Sequence, residues 1–205
     1  GWSDCNSNTI GSLDGTKTIL IANSSTSSSE VYGIYSSASI AAVTTFNNNS
    51  IGAITHSKSN TAACGLVGLR AGSSSSNNLI IEDNAIGNAG AEMKTINNST
   101  TASLSGNTVI GIYVLSSIHQ IRNNLIRNLT TNNQSTGTGT SSSVQGMYIS
   151  SAASGSLISG NTIHSLSNTS PAANSWVNGI TISSSTALLT FEKNFIHSLV
   201  ISGTG

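Results

Sequence analysis

A short pattern that returns along the whole chain constrains the fold more than any other feature. The pattern is apolar-x-x-Asn-x-Ile-x-x-apolar, and five copies start at Phe46, Ile81, Ile121, Ile158 and Phe191. A sixth copy starts at Cys5, and a partial copy at Leu104 is either an extra coil or a coincidence. A chain that repeats one short unit folds as a stack, because a single unit cannot bury its apolar face alone.

A second pattern, apolar-x-Gly-apolar, precedes five of these copies. Its glycines are Gly33, Gly65, Gly111, Gly146 and Gly179. Each glycine separates two apolar positions that strict alternation along a strand would place on opposite faces of a sheet. We therefore expect a glycine bend or bulge that lets both apolar side chains point inward.

The apolar residues occur in short groups separated by small polar residues, and no helical period is sustained. Short strands broken by Gly, Asn and Ser at a fixed spacing predict an all-β solenoid of about five to six irregular coils. Residues 23–29, 131–143 and 168–175 are rich in Ser, Thr and Asn and predict loops of different length. We interpret residues 1–205 as a single segment of this solenoid.

Stacking of the coils would bring equivalent residues about 4.8 Å apart and form columns along the axis. The isoleucine column would be an interior aliphatic ladder of Ile51, Ile86, Ile126, Ile163 and Ile196. The asparagine column would lie at the bend between two strands and contains Asn49, Asn84, Asn124, Asn161 and Asn194. Asparagine tolerates the left-handed backbone of a tight bend, and stacked amides can hydrogen-bond to each other.

The composition fits such a stack. Serine, threonine, asparagine and glycine make up 108 of the 205 residues, and only 7% of residues are charged. Identical charges stacked about 4.8 Å apart would repel each other. Seven Lys and Arg balance seven Asp and Glu, which argues against the clustered positive charge of a nucleic-acid surface. No apolar run reaches the roughly 18–20 residues of a membrane span.

Three of the repeat motifs carry a resemblance to a known family. The stretches Ser7–Ser12, Val31–Ser37 and Ser159–Ser165 are similar to repeats of the right-handed parallel β-helix proteins, and more narrowly of the giant secreted repeat proteins of Bacteroidetes-type bacteria. The resemblance covers nearly the whole chain and implies a right-handed parallel β-helix at an extracellular or cell-surface location. It implies little about activity, because such repeats occur in adhesins, surface fibres, tailspikes and polysaccharide lyases and hydrolases.

The acidic residues predict no active site. The one adjacent pair, Glu82 and Asp83, would point to opposite faces of a strand. The acid motifs of the β-helix hydrolases are absent, and no acidic cluster is present to hold a metal. We expect no catalytic residue, no metal and no cofactor. Glu82 shares a column with Arg122, and the two would form an ion pair unless the copy at Leu104 is a full coil.

One surface column carries candidate ligand contacts. The residue after the ladder isoleucine is glycine in the first three coils and then Arg127, His164 and His197. In a register-matched stack these three side chains form either an exposed polar row or a contact for a ligand. Two histidines alone make a weak metal site.

The remaining polar and aromatic residues give weaker signals. Tyr32, Tyr35, Tyr113 and Tyr148 cluster by column. These tyrosines either pack laterally under a loop or bind sugar faces. Cys5 and Cys64 are expected to be small buried side chains rather than a disulfide. His56 and His119 have no repeated context and are expected to be solvated.

These observations predict a non-catalytic structural segment, such as a stalk, fibre or adhesin, of a large secreted or cell-surface protein. The chain starts and stops in the same repeat phase, so we expect either further repeats on both sides or identical copies that stack end to end as a filament. The alternative is a carbohydrate-active β-helix whose partner is a surface glycan. An ice-binding solenoid is a third interpretation, which requires a flat Thr-x-Thr row repeated in every coil.

Overall fold

The computed structural model of the chain describes residues 3–37, 43–60, 62–72, 78–97, 108–115, 118–132, 143–170, 175–183 and 188–202. The described residues contain twenty β-strands and no helix. The strands lie in three sheets, and every pair of named strands runs parallel. The prediction of an all-β parallel solenoid is thereby confirmed, while its right-handed sense stays a prediction.

Each coil of the chain passes through the three sheets in the order A, B, C. Sheet A contains β1 (Ser3–Asn6), β5 (Thr44–Asn47), β9 (Asn78–Glu82), β13 (Ile118–Arg122), β16 (Leu157–Ser159) and β19 (Thr190–Glu192). Sheet B contains β2 (Thr9–Gly11), β3 (Ile19–Asn23), β6 (Ser50–Gly52), β7 (Ile54–Lys58), β10 (Ala85–Ile86), β11 (Met93–Asn97), β14 (Leu125–Thr131), β17 (Thr162–Asn168) and β20 (Phe195–Ile201). Sheet C contains β4 (Ser29–Tyr35), β8 (Cys64–Ala71), β12 (Thr108–Val114), β15 (Val144–Ile149) and β18 (Val177–Ile182).

The number of turns follows from equivalent strands of one sheet. Between β4 and β18 the chain makes about four full turns, and partial turns extend the solenoid at both ends. The count therefore differs slightly from the five to six coils that the repeat predicts.

Sheet B is interrupted in each of the first three coils. Residues 12–18 and 87–92 are insertions in the first and third coils, whereas Ala53 breaks the sheet in the second coil without changing the spacing from Ile51 to Ile54. In the fourth coil, the continuous strand β14 pairs with both β10 and β11 of the preceding coil. The insertions shift the last apolar position of the repeat, so that Ile19 and Met93 occupy it instead of Leu13 and Ala89. Spacing within the motif does not reveal this shift.

Two aliphatic columns fill the interior. The sheet B column consists of Ile10, Ile51, Ile86, Ile126, Ile163 and Ile196. The sheet A column consists of Cys5, Phe46, Ile81, Ile121, Ile158 and Phe191. The four central members of each column are buried. Burial of each large apolar side chain stabilises the stack by about 1.5–3 kcal/mol.

The bend between sheets A and B is made by the residue before each ladder asparagine. That residue has a positive φ in every coil, and the six are Ser7, Asn48, Asp83, Asn123, Gly160 and Lys193. The expectation that the ladder asparagine itself is left-handed is wrong, since none of the described ladder asparagines has a positive φ. Its backbone N–H points along the axis to the next asparagine, which the bend residue makes possible.

The glycine column of sheet C lies directly over the isoleucine ladder. A Cβ at Gly111 would lie 2.5 Å from Ile126 Cγ2 and 2.6 Å from the carbonyl oxygen of Gly146. As expected, the apolar residues on both sides of the glycine point inward, because Val109 and Ile112 are both fully buried in the main core. The column therefore excludes any side chain larger than hydrogen.

One member of the predicted glycine column is misplaced. Leu69 pairs with both Ile34 and Ile112, so the register puts Gly68 in the column and leaves Gly65 three residues before it. A Cβ at Gly68 would lie 2.8 Å from Ile86 Cγ2, as at the other column positions. The sequence window around Gly65 resembles the motif, but only pairing between coils identifies the correct glycine.

The partial copy at Leu104 adds no coil between the described strands of sheet A. Strand β9 pairs directly with β13. Val109 and Ile112, which belong to the partial copy, lie in β12 of sheet C. Leu104 itself lies outside the described residues.

Candidate functional site

The asparagine ladder is the most regular polar feature of the described residues. It runs through Asn8, Asn49, Asn84, Asn124, Asn161 and Asn194. Each Nδ2 donates to Oδ1 of the next asparagine at 2.8–2.9 Å. The backbone N–H of the same residue donates to that Oδ1 at 3.0–3.1 Å. From Asn49 onward, Nδ2 also donates to a carbonyl of the previous coil at 2.7–3.0 Å.

This network gives the ladder a direction and uses its polar atoms internally. In the bonds between one amide and the next, the donor points toward the C-terminal end of the stack and the acceptor toward the N-terminal end. The four central asparagines are 0–1% exposed. Buried amides need such partners, since an unsatisfied buried donor or acceptor costs about 1–3 kcal/mol. The ladder is therefore a structural element, and its buried members are closed to a ligand.

The structure brings Arg127, His164 and His197 together on the outer face of sheet B. Arg127 pairs with His164, and His164 pairs with His197. The two imidazole rings stack with centroids 4.8 Å apart and an angle of 7° between their planes. Each Nδ1 lies 2.8–2.9 Å from the hydroxyl of the serine that follows the histidine. Arg127 Nε donates to the carbonyl oxygen of Gly87 at 3.4 Å.

The electrostatics of this column favour a neutral imidazole at His164. Partial burial lowers the pKa of His164, and the neighbouring His197 and Arg127 lower it further. A neutral imidazole beside a guanidinium can contact hydroxyl groups or an anion. The column of Arg127, His164 and His197 is a poor metal site, because it contains only two imidazoles.

A groove of about 380 Å³ lies beside this column on sheet B. Its polar lining includes Glu92, Asn128, Thr130, Ser165, Ser167 and Ser198. The side chains of Arg127, His164 and His197 do not line the groove, but each precedes a residue that does. The arrangement offers hydroxyl groups, an amide and one carboxylate along an open surface.

Two of the acidic side chains form ion pairs with nearby cations. Glu82 accepts a hydrogen bond from Arg122 Nη2 at 2.7 Å, between paired positions of β9 and β13. Glu92 lies 3.8 Å from Lys94. Within the described ranges, no group of three His, Cys, Asp or Glu side chains is placed to hold a metal ion. The same part of the chain contains no helix long and apolar enough to cross a membrane.

Loss of the Glu82–Arg122 ion pair should have a small effect. Glu82→Gln should lower the free energy of unfolding by no more than about 1 kcal/mol, because both side chains are partly solvated. Urea unfolding at low and high salt measures this, and the difference from the unsubstituted chain should shrink at high salt. A loss above about 2 kcal/mol would show that the pair matters more than a surface pair does.

The tyrosines belong to a packed cluster on the outer face of sheet C. Arg70 lies between Tyr35 and Tyr113 in the register, and its Cζ is 4.9 Å and 5.1 Å from the two ring centroids. Arg70 Nη1 also donates to the Tyr32 hydroxyl at 3.3 Å. Burial and the nearby carboxylate of Glu30 raise the pKa of Tyr32 to about 12. These contacts favour lateral packing, and Tyr35 is the member that stays half exposed.

A buried polar corner between sheets B and C was missed by sequence reasoning. His56 is fully buried, so the expectation that it is solvated is wrong. Its Nδ1 donates to the carbonyl oxygen of Gly65 at 3.0 Å, and its Nε2 accepts from Ser29 Oγ at 3.1 Å. Lys58 is 1% exposed, and its ammonium donates to backbone carbonyls of the loop at residues 25–27. Both side chains follow Ile54 at even spacing, which is the signal for an inward position.

His119 is a second histidine whose environment differs from the expectation. It is fully buried, and its Nε2 lies 2.9 Å from the carbonyl oxygen of Ser151. It precedes the ladder residue Ile121 by two positions on β13, so strand alternation turns it inward as well. The expectation that His119 is solvated is therefore wrong.

Cys5 and Cys64 are not joined by a disulfide, as expected, but Cys5 is only partly buried. Cys64 is fully buried, and burial raises the pKa of its thiol to about 11. A thiol in this environment is a small apolar side chain and not a nucleophile.

Comparison with protein-family models, with curated proteins and with solved structures finds no match for this chain. Conclusions about its function therefore come from its own fold and contacts.

The buried histidines should make the fold sensitive to acid. Burial is the main cause that lowers the pKa of His56 and His119 below the ordinary value of 6.5. The unfolded chain then binds protons more readily than the folded chain, so stability is full above about pH 6.5 and falls as the pH drops below it. Chemical unfolding at about pH 7.5 and about pH 5 should show this fall.

A substitution separates the buried histidines from the exposed one. His119→Gln should flatten the fall in unfolding free energy between the two pH values, because it removes one of the titrating groups. His197→Gln is the control at an exposed position, and it should change the slope less than His119→Gln does. Equal slopes for His119→Gln and the unsubstituted chain would contradict the assignment.

Proposed function

We propose that this chain is a non-catalytic structural segment of a large secreted or cell-surface repeat protein, such as a stalk, fibre or adhesin. The observation that carries the proposal is the continuous asparagine ladder, in which each amide holds the next coil in register. A hydrogen-bonded column in a low-dielectric interior resists sliding of one coil over the next. The stack therefore suits a role as a stiff spacer.

The charged side chains support the same proposal, because several of them hold the fold together. Arg122 pairs with Glu82 between coils, Arg70 packs against tyrosines, and Lys58 binds loop carbonyls. Groups used in this way are not free to bind a substrate. The resemblance to giant secreted repeat proteins of Bacteroidetes-type bacteria supports the proposed location, at the cell surface or outside the cell.

Surface labelling tests the proposed location. Antibodies raised against the purified chain should label intact cells that produce the parent protein, without permeabilisation. An antibody against a cytosolic protein is the control and should label permeabilised cells only. Labelling that appears only after permeabilisation would overturn the location, and polysaccharide cleavage by the purified chain would overturn the non-catalytic role.

A carbohydrate-binding β-helix is the second candidate, favoured by the column of Arg127, His164 and His197 beside the hydroxyl-lined groove. A glycan array and a lyase assay on the chain and on its triple alanine variant at these positions separate the two candidates. Binding that the triple substitution abolishes would support the carbohydrate candidate. No binding, or binding that the substitution leaves unchanged, would support the structural one.

The ice-binding interpretation gains no support from sheet B. The outward positions that contain Thr55 and Thr130 both pair with Lys94, and Thr130 also pairs with Ser167. A flat ice-binding face needs threonine at the same position of every coil, whereas this column mixes a cation with hydroxyl groups.

A further inference from the structure

Two tyrosines of one strand bring their rings together on the outer face of sheet C. Val31 and Ile34 of β4 both pack against the interior, because the bend at Gly33 interrupts strand alternation. Tyr32 and Tyr35 therefore both face outward. Their ring centroids are 4.9 Å apart, with 52° between the ring planes. This separation lies at the short end of the roughly 4.5–7 Å range of aromatic pairs.

A carboxylate and a guanidinium contact these two tyrosines. The Tyr32 hydroxyl donates to Glu30 Oε2, and Arg70 Nη1 donates to the Tyr32 hydroxyl at 3.3 Å. Arg70 Cζ lies 5.6 Å from the Tyr32 ring centroid and 4.9 Å from the Tyr35 ring centroid. A cation attracted to both rings keeps them side by side. These contacts lie within β4 and its paired strand β8, so they do not depend on any other coil.

The arrangement suits removal of electrons from the two phenols. A phenol that loses an electron becomes a strong acid, and a positioned base that takes the proton makes the oxidation faster. The carboxylate of Glu30 is such a base for Tyr32. Tyr35 is 50% exposed, so an oxidant in solvent can reach its ring.

The second tyrosine pair of sheet C lacks this arrangement. Tyr113 and Tyr148 have ring centroids 5.2 Å apart, with 77° between the ring planes. A nearly perpendicular pair points the edge of one ring at the face of the other, whereas a covalent bond between rings joins two edges. Tyr148 is also only 6% exposed, which protects it from an oxidant in solvent. The second pair is therefore an internal comparison for the first.

We propose that Tyr32 and Tyr35 are an oxidative modification site, at which peroxide joins the two rings as an intramolecular dityrosine. Each phenol gives up one electron and its hydroxyl proton, and Glu30 accepts the proton of Tyr32 before it passes to solvent. The two phenoxyl radicals form a carbon–carbon bond between the ring positions next to the hydroxyls, and the hydrogens of those positions move to the oxygens. One hydrogen peroxide takes up the two electrons, together with two protons from solvent, and becomes two waters. The product closes a covalent ring across Gly33.

Peroxidase oxidation of the intact, purified chain tests the proposal. Treatment with hydrogen peroxide and a haem peroxidase should produce dityrosine fluorescence in the monomer. After unfolding, cleavage behind lysine and arginine releases residues 18–58, whose only tyrosines are Tyr32 and Tyr35. This peptide should be lighter by two hydrogen atoms in the mass spectrum.

Substitutions test the role of the carboxylate. Glu30→Gln keeps a hydrogen-bond acceptor but removes the base, and it should slow formation of the lighter peptide by about tenfold or more. Tyr113→Phe is the matched control, since it changes one side chain on the same face of sheet C, and it should leave the rate unchanged. Equal rates for Glu30→Gln and the unsubstituted chain overturn the assignment of Glu30 as the base.

Other results overturn the modification site itself. Absence of the lighter peptide of residues 18–58 does so, and so does dityrosine that only links separate chains. A bond between Tyr113 and Tyr148 that forms first also overturns it, and this bond would join residues 95–122 to residues 128–193 after the same cleavage. The reaction requires neither the proposed location nor the structural role. Its failure would therefore leave the proposed function standing, and surface labelling tests that function separately.

Discussion

Asn124→Ala should lower the free energy of unfolding by about 3–5 kcal/mol, since it breaks the ladder at its centre. Asn124 Oδ1 accepts from both the backbone N–H and Nδ2 of Asn84. Its Nδ2 donates to Asn161 and to the carbonyl oxygens of Ile81 and Arg122. Truncation removes these contacts in a site that is 1% exposed, where water cannot replace them.

Urea unfolding followed by circular dichroism measures this loss. Asn8→Ala is the matched control, because Asn8 belongs to the same ladder but is exposed at its first position, and its loss should cost less than about 1 kcal/mol. Asn124→Asp should also be costly, since it keeps the acceptor but places a carboxylate against three acceptor oxygens. Similar losses for Asn124→Ala and Asn8→Ala would show that the ladder does not hold the coils together.

Gly68→Ala should cost about 3 kcal/mol, because the added Cβ has no space. It would lie 2.7 Å from the carbonyl oxygen of Gly111 and 2.8 Å from Ile86 Cγ2. The first contact is with backbone and the second is with a buried ladder side chain, so neither neighbour moves without strain. The methyl group would push sheet C away from the isoleucine ladder.

Gly65→Ala on the same strand is the matched control. A Cβ at Gly65 would lie 3.0 Å from Glu30 Cγ and 3.4 Å from Thr108 Oγ1, which belong to side chains that can shift. We expect a change within about 1 kcal/mol at this position. Thermal or urea unfolding of the two variants in parallel gives the comparison. If Gly65→Ala were the more damaging substitution, the register of sheet C would be wrong.

The repeat was enough to predict the columns of this fold. Asn49 and Ile51 stand two residues apart, and the same pair returns in each later copy, so the period and the faces of the strands follow from the sequence. The column of Arg127, His164 and His197 followed from the same alignment, and the structure places the three side chains in adjacent coils. Repetition makes local spacing informative, because the side chains of every coil pack against the neighbouring coils in the same way.

Features that occur in only one coil were predicted poorly. His56 and His119 are expected to be solvated and no prediction is made for Lys58, yet all three are buried with hydrogen bonds to backbone carbonyls or a hydroxyl group. Their partners come from loops and neighbouring strands that differ in length from coil to coil. These residues belong to no repeat that could be aligned, so only strand alternation indicates that their side chains face the interior.

Sequence alone determined the period, the all-β class, and which residues form the asparagine and isoleucine ladders. These properties follow from side-chain alternation and repetition, which are local. Tertiary structure alone decided that Gly68 replaces Gly65 and that Lys193 and its equivalents make the bend. The physical reason is that these features depend on contacts between coils, and successive ladder asparagines are 33–41 residues apart in the chain. The free energy of closing a loop changes only slowly with its length, so loop length does not fix which residues pair. The contacts between neighbouring coils set the register.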